Sequence, residues 1–188
     1  MIRSFRDALR DSLMALAEVD KDFVVLNADS ARVLNLDVFK TTHPNRIFCY
    51  GISEADMLSA AAGLSTTGIT PIVVGFSVFV TEKPFEQIRQ AICYPNLNVK
   101  IIATHAGLCV GQDGATHQNL EDLAIMRTLP NMKVLVAADA AQTAAAISAM
   151  MAHKGPCYLR LGRDLAEDIY QNKPEVRIGG SDLVRKGA

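Results

Sequence analysis

Six short runs rich in apolar and β-branched residues recur along the chain, at residues 23–26, 46–49, 71–74, 99–103, 133–136 and 157–160. Each is only four or five residues long, bounded by polar or turn-forming residues, and therefore reads as a strand rather than a helix. Between them apolar positions return every third or fourth residue, which predicts helices over residues 4–18, 54–67, 84–93, 119–128 and 140–152. Strands that are apolar on both faces must be covered on both sides. The alternation therefore predicts a three-layer α/β/α fold around a mostly parallel six-stranded sheet, occupying residues 1–170.

Two helix starts carry a capping signature. Ser53 precedes the 54–67 helix with Asp56 three residues later, as in a capping box with Asp in place of Glu. Asp139 stands before the alanine-rich 140–152 helix as its expected N-cap. Beyond Asp164 the pattern fades into polar residues, and 171–188 reads as a linker leading towards a further, carboxyl-terminal domain.

In open parallel sheets, ligands collect beyond the carboxyl ends of the strands. Asp29, Glu54, Phe76 and His105 each follow a predicted strand, so the topology can bring them to one edge. Glu54 is the most informative of them. In the run Phe48-Cys49-Tyr50-Gly51-Ile52-Ser53-Glu54, an apolar strand delivers a carboxylate to the start of a helix. There it serves either as a complement to the helix dipole or as a functional acid.

Charge narrows the classes of partner. With 19 basic and 20 acidic residues in 188 and no Lys/Arg-rich run, the chain offers no footprint for nucleic acid or a membrane surface. The opening Met1-Ile2-Arg3-Ser4-Phe5-Arg6-Asp7 lacks the apolar core of a signal peptide, so a cytoplasmic location is expected. Cys49, Cys93, Cys109 and Cys157 are scattered without metal-site or redox-motif spacing, and are expected to be reduced thiols. No glycine-rich fingerprint follows the first predicted strand, where Asn27-Ala28-Asp29-Ser30 stands, which argues against a dinucleotide fold.

Three further segments join the Glu54 run: Phe76-Ser77-Val78-Phe79, Thr104-His105-Ala106-Gly107, and Asp113-Gly114-Ala115-Thr116-His117-Gln118. Each has an ordinary structural use, as core filling, a turn or a satisfied loop. In this order and at these separations, however, they resemble the pyrimidine-binding domain of transketolases, particularly those whose catalytic chain is split into two subunits. The resemblance runs from Phe5 through Arg163.

The resemblance implies a set of roles. Glu54 would hydrogen-bond a pyrimidine ring nitrogen of thiamine diphosphate and favour the imino tautomer that activates the cofactor. Phe76 and Phe79 would pack around that ring, with Asp29 also on the cofactor side, while Val73 falls where the family's longer pattern begins with an aromatic residue. His117 would lie near the reacting carbonyl, and His105 and Asp113 would meet substrate hydroxyl or phosphate groups. Arg163 would hold the terminal phosphate, a task suited to a planar guanidinium, with Arg6 a weaker candidate. The implied reaction transfers a two-carbon ketol unit between sugar phosphates.

The chain lacks the Gly-Asp-Gly start and later Asn pair with which thiamine enzymes anchor the metal and diphosphate; only Gln112-Asp113-Gly114 is present. The resemblance therefore implies that Mg2+ or Ca2+ is held by an amino-terminal partner subunit, none of the metal ligands coming from this chain, and that pairs associate to a dimer. The alternatives are a 1-deoxyxylulose-5-phosphate synthase, a 2-oxo acid dehydrogenase beta-type subunit, and a non-catalytic assembly module of the same fold.

Overall fold

The computed structural model describes residues 2–163, 165–170 and 174–187. After the short strand β1 (Ile2–Ser4), Ser4 Oγ accepts from the backbone N–H groups of Arg6 and Asp7 and starts helix α1 (Phe5–Val19). Phe5, Leu9, Leu13 and Ala17 form its buried stripe at a spacing of four. Full burial of a leucine side chain contributes about 2 kcal/mol, so Leu9 and Leu13 anchor the helix to the sheet. The chain continues through β2 (Phe23–Asn27), a short α2 (Asp37–Thr42), β3 (Ile47–Cys49) and α3 (Glu54–Ser65). Next come β4 (Thr70–Phe76), α4 (Ser77–Thr81), α5 (Phe85–Gln87) and a π-helical turn over Ile88–Cys93. The remainder comprises β5 (Lys100–Thr104), α6 (Asp122–Arg127), β6 (Lys133–Val136), α7 (Ala140–Ala152), β7 (Cys157–Arg160) and β8 (Leu165–Glu167).

Six strands form one sheet in the order β3-β2-β4-β5-β7-β6, every pair parallel. The sheet alternates as a two-residue period requires. Val25, Ile72, Val74, Ile102 and Leu159 face α1 and α7, while Leu26, Val73, Ile101 and Tyr158 face Met57 and Leu58 of α3, Ile88 and Ile92 of the π turn, and Met126 of α6. Both faces are covered, as the doubly apolar strands demand. All six predicted strands are present. No helix among the described residues is long and apolar enough to cross a membrane.

Local expectations are met only in part, and the predicted 119–128 helix is confined to α6. The predicted 84–93 helix is α5 followed by the π turn, and an unpredicted α4 precedes it directly after β4. Pro84 lacks the backbone N–H that would continue α4. Ser53 occupies the N-cap position of α3, but its side chain makes no capping hydrogen bond, so the capping box is not formed. Asp139 does cap α7, accepting from Gln142 N at 2.7 Å, and its other oxygen accepts from the backbone of Ile169 and Tyr170. Finally, β1 pairs antiparallel with β8, tying the two ends of the 1–170 region together. Residues 171–173 and Asp164 lie outside the described residues; beyond them, Val176 and Ile178 pack against the α1/α7 side of the core.

Candidate active site

β2 ends at Asn27, whose side-chain amide donates to Ser30 Oγ at 2.8 Å and to Val74 O at 3.2 Å, and whose Oδ1 accepts from Ser30 N at 3.0 Å. These bonds fold Ala28-Asp29-Ser30 back over the sheet end, with Asp29 in the left-handed region at φ 55°. His105, next after β5, is also left-handed at φ 57°. A non-glycine residue in that region is uncommon, and here two of them follow the ends of strands that flank β4.

Beneath the Ala28–Ser30 turn lies a mostly apolar cavity of about 340 Å3, lined by Asp29, Val33, Ile52, Glu54, Gly75, Phe76, Phe79 and His117 among others. It sits at the carboxyl ends of β2 and β4, where the topology predicts a ligand. A larger cleft of about 760 Å3 lies elsewhere, between β6, α7 and the tail around residues 174–184, remote from these groups. We take the smaller cavity as the site because it is the one into which the acid, the aromatic rings and an imidazole converge.

Glu54 opens α3 and is only 4% exposed. A carboxylate this buried needs a partner, and Lys83 provides it: the Nζ–Oε2 distance is 2.5 Å. Lys83 follows α4 and leads into Pro84, and its ammonium also lies 5.5 Å from the centre of the Phe79 ring. The sequence reading missed Lys83. The available signal was its position one helical turn after Phe79; the ion pair itself depends on how α4 packs against α3.

The two phenylalanines are positioned by the strand-to-helix turn. Phe76 ends β4 and Phe79 lies in α4, and the half-buried rings are nearly parallel, with centroids 6.1 Å apart and planes inclined by 12°. His105 stacks on Phe76 at 3.9 Å, while the His117 ring meets Phe79 edge-on at 5.1 Å. Gly75 is what allows this turn. A Cβ there would run into Val80 Cγ1.

His105 is 2% exposed and its Nδ1 hydrogen-bonds Thr104 Oγ1 at 2.8 Å. Burial, reinforced by the positive charges of Arg6 and Arg163 and only partly offset by Asp113, lowers its pKa to about 4. It is therefore a neutral imidazole at physiological pH. Asp113 is exposed at the end of a 3₁₀ stretch spanning Gly107–Asp113 and does not line the cavity. Arg163 is committed to that same stretch, donating to Val110 O and, at 3.0 Å, to Gln112 Oε1. Arg6 donates to Val33 O at 2.9 Å, while its Nε is buried without a partner. Val73 is fully buried under α3 and does not reach the cavity.

Under the rings runs a buried polar chain that sequence reasoning did not find, because its members are far apart in sequence. Asn119 Nδ2 donates to Ser77 Oγ at 3.0 Å and to Thr81 Oγ1 at 2.9 Å, fixing α4. Ser77 Oγ bonds Tyr158 Oη at 3.0 Å, and Tyr158 in turn donates to Asp122 Oδ2 at 2.7 Å, which Arg160 Nε also reaches at 2.9 Å. Burial and the adjacent Asp122 push the Tyr158 phenol well above its ordinary range, so it remains the donor. Asp122 Oδ1 is buried without a partner, but the bonds from Asn119 and Tyr158 to Ser77 and Thr81 hold the helix that carries Phe79 in one arrangement.

The residues fit the pyrimidine half of thiamine diphosphate: parallel aromatic rings match a flat heterocycle, and a buried carboxyl group can meet a ring nitrogen. Among the described residues, no three His, Cys, Asp or Glu side chains cluster in an arrangement that could hold a metal ion.

Residues 3–169 match the family described as transketolase, pyrimidine binding domain. The Methanocaldococcus jannaschii protein named "Putative transketolase C-terminal section" is 41% identical over 187 residues, covering 98% of this chain and 59% of that protein. A 6-deoxy-6-sulfo-D-fructose transketolase subunit of Clostridium sp. is 35% identical over 182 residues, covering 97% of this chain and 56% of its own length. A solved structure described as a split gene transketolase, inactive beta4 tetramer, superposes with a TM-score of 0.86 at 41% identity, covering 98% of this chain and 59% of that one. The chain thus spans somewhat under three fifths of the length of these relatives. Matching over nearly its whole length, with the site at the expected sheet edge, the chain belongs to the transketolase pyrimidine-binding domain family, whose enzymes depend on thiamine diphosphate.

Proposed function

We propose that this chain is the pyrimidine-binding part of a split transketolase, transferring a two-carbon ketol unit between sugar phosphates. The observation that carries the reading is the buried Glu54 carboxyl group lining one cavity with the parallel rings of Phe76 and Phe79. Thiamine diphosphate, when bound, would supply the carbanion-forming centre that cleaves the carbon–carbon bond. Glu54 would hold a proton against the pyrimidine nitrogen, and Phe76 and Phe79 would orient the ring and exclude water from it. Asp29 would close the cavity from above.

His117 lines the same cavity and would donate to the substrate carbonyl oxygen as charge develops there. His105, Asp113 and Arg163, which do not line the cavity, would meet the sugar phosphate beyond it. Neutral at physiological pH, His105 suits hydrogen bonding to hydroxyl groups more than charge pairing with phosphate.

The diphosphate and its Mg2+ or Ca2+ would be held by an amino-terminal partner subunit, and two such pairs would form a cytoplasmic assembly; this chain alone would be inactive. Support comes from the relative named as a C-terminal section and from the similar solved chain described as an inactive tetramer. The test is reconstitution: the chain is mixed with the diphosphate-binding subunit, thiamine diphosphate, Mg2+ and a panel of ketose and aldose phosphates. Ketol transfer that requires both chains supports the reading. Cofactor binding without transfer to any sugar would instead favour an assembly module.

A further inference from the structure

The site holds one group that the proposed function leaves without a role. Lys83 does not itself line the cavity but reaches two residues that do, its ammonium lying 2.5 Å from Glu54 Oε2 and 5.5 Å from the centre of the Phe79 ring. Its position is built in by the local chain. Phe79 and Lys83 lie one helical turn apart, and Pro84 ends the turn immediately afterwards, so Lys83 is held at the junction of α4 and α5 facing the start of α3.

The two uses of Glu54 compete. In the ion pair it is a carboxylate, which only accepts hydrogen bonds, whereas a ring nitrogen with a free lone pair must be met by a donor. Lys83 is 47% exposed while Glu54 is 4% exposed, so the lysine can swing into water and the glutamate cannot.

We infer that Lys83 is a latch: in the empty chain it pairs with Glu54 and keeps that carboxyl group engaged, and it leaves when the pyrimidine ring takes its place on Glu54. Lys83 is thus a positioning residue acting through Glu54, setting how readily the site accepts its cofactor. The inference rests on the proposed pyrimidine-binding role. A latch closed about 80 to 90% of the time lowers apparent affinity by about five- to tenfold, and that factor is recovered when the latch is removed.

The experiment titrates the full chain with thiamine, which lacks the diphosphate, and follows binding by ligand-observed NMR for wild type, K83M, K83Q and K83R. In parallel, the wild-type chain assembled with its diphosphate-binding partner is titrated with thiamine diphosphate and Mg2+. The 15N signal of the Lys83 ammonium in wild type is followed with and without thiamine, a readout that needs no variant to fold. The expected result is about five- to tenfold tighter thiamine binding by both neutral variants, wild-type affinity for K83R, and a Lys83 signal that moves to a solvent-exposed position on thiamine addition. Equal or weaker binding by the neutral variants, or an unmoved Lys83 signal, while the wild-type complex still binds thiamine diphosphate, overturns the latch and leaves the functional reading standing. Absence of thiamine diphosphate binding by the wild-type complex overturns both.

Discussion

Replacing His105 with Asn, a residue that also tolerates the left-handed backbone found there at φ 57°, gives a sharp test of the electrostatics beside Phe76. In the folded chain the imidazole titrates at about 4, lowered by burial and then by Arg6 and Arg163; in the unfolded chain it titrates at about 6.5. Between those values the unfolded state binds the extra proton, so stability rises with pH through that window and falls as the solution is acidified. Integrated from pH 7.5 to 4.5, this one group costs the wild type about 2.5 kcal/mol. Asn does not titrate, so H105N lacks that loss. The variant starts less stable at pH 7.5, having lost the stacking on Phe76 and the bond to Thr104 Oγ1. The gap between the two proteins then narrows by about 2.5 kcal/mol on going to pH 4.5. Urea unfolding at four pH values measures it. Stability curves that stay parallel from pH 7.5 to 4.5 would refute the assignment of a buried, neutral imidazole.

Tyr158→Phe removes the donor that Asp122 Oδ2 receives and the acceptor that Ser77 uses. Chemical denaturation should show a loss of about 1–3 kcal/mol. Gly75→Ala drives a methyl group into Val80 Cγ1; α4 must shift, with a stability cost of about 1–3 kcal/mol in thermal unfolding and weaker thiamine diphosphate binding by the assembled complex. Phe79→Ala removes one of the two parallel rings and should weaken cofactor binding in calorimetric titration by about tenfold, as expected for a lost stacking interaction of about 1.5 kcal/mol.

Much of this molecule could be read from its sequence because its fold rests on local patterns. The six parallel strands are apolar on both faces, so each stood out as a short β-branched run between helical segments. The pattern failed where short elements depend on distant partners. β1 and β8 are three residues each and exist only by pairing across the chain, and α2 and α4 are too short for a periodicity to register. At the site, Glu54, Phe76, Phe79 and His117 were found and do line one cavity together with Asp29. Asp113 and Arg163 lie outside it, on and against the Gly107–Asp113 stretch. Lys83 and the Asn119–Ser77–Tyr158–Asp122 chain were missed for a common reason: each is a tertiary hydrogen bond or ion pair between elements whose packing leaves no mark in the residue pattern.

The role proposed for Glu54 is to activate the cofactor through its pyrimidine ring. Exchange of the thiazolium C2 proton for deuterium, timed by quenched flow and NMR in the complex of this chain with its diphosphate-binding partner, reads that activation without any sugar substrate. Wild type should exchange far faster than free cofactor, and Glu54→Gln should slow exchange by at least about a hundredfold, the lower range for a positioned acid–base group, with unchanged far-ultraviolet circular dichroism. Equal exchange rates for wild type and Glu54→Gln, at equal cofactor occupancy, would contradict the account.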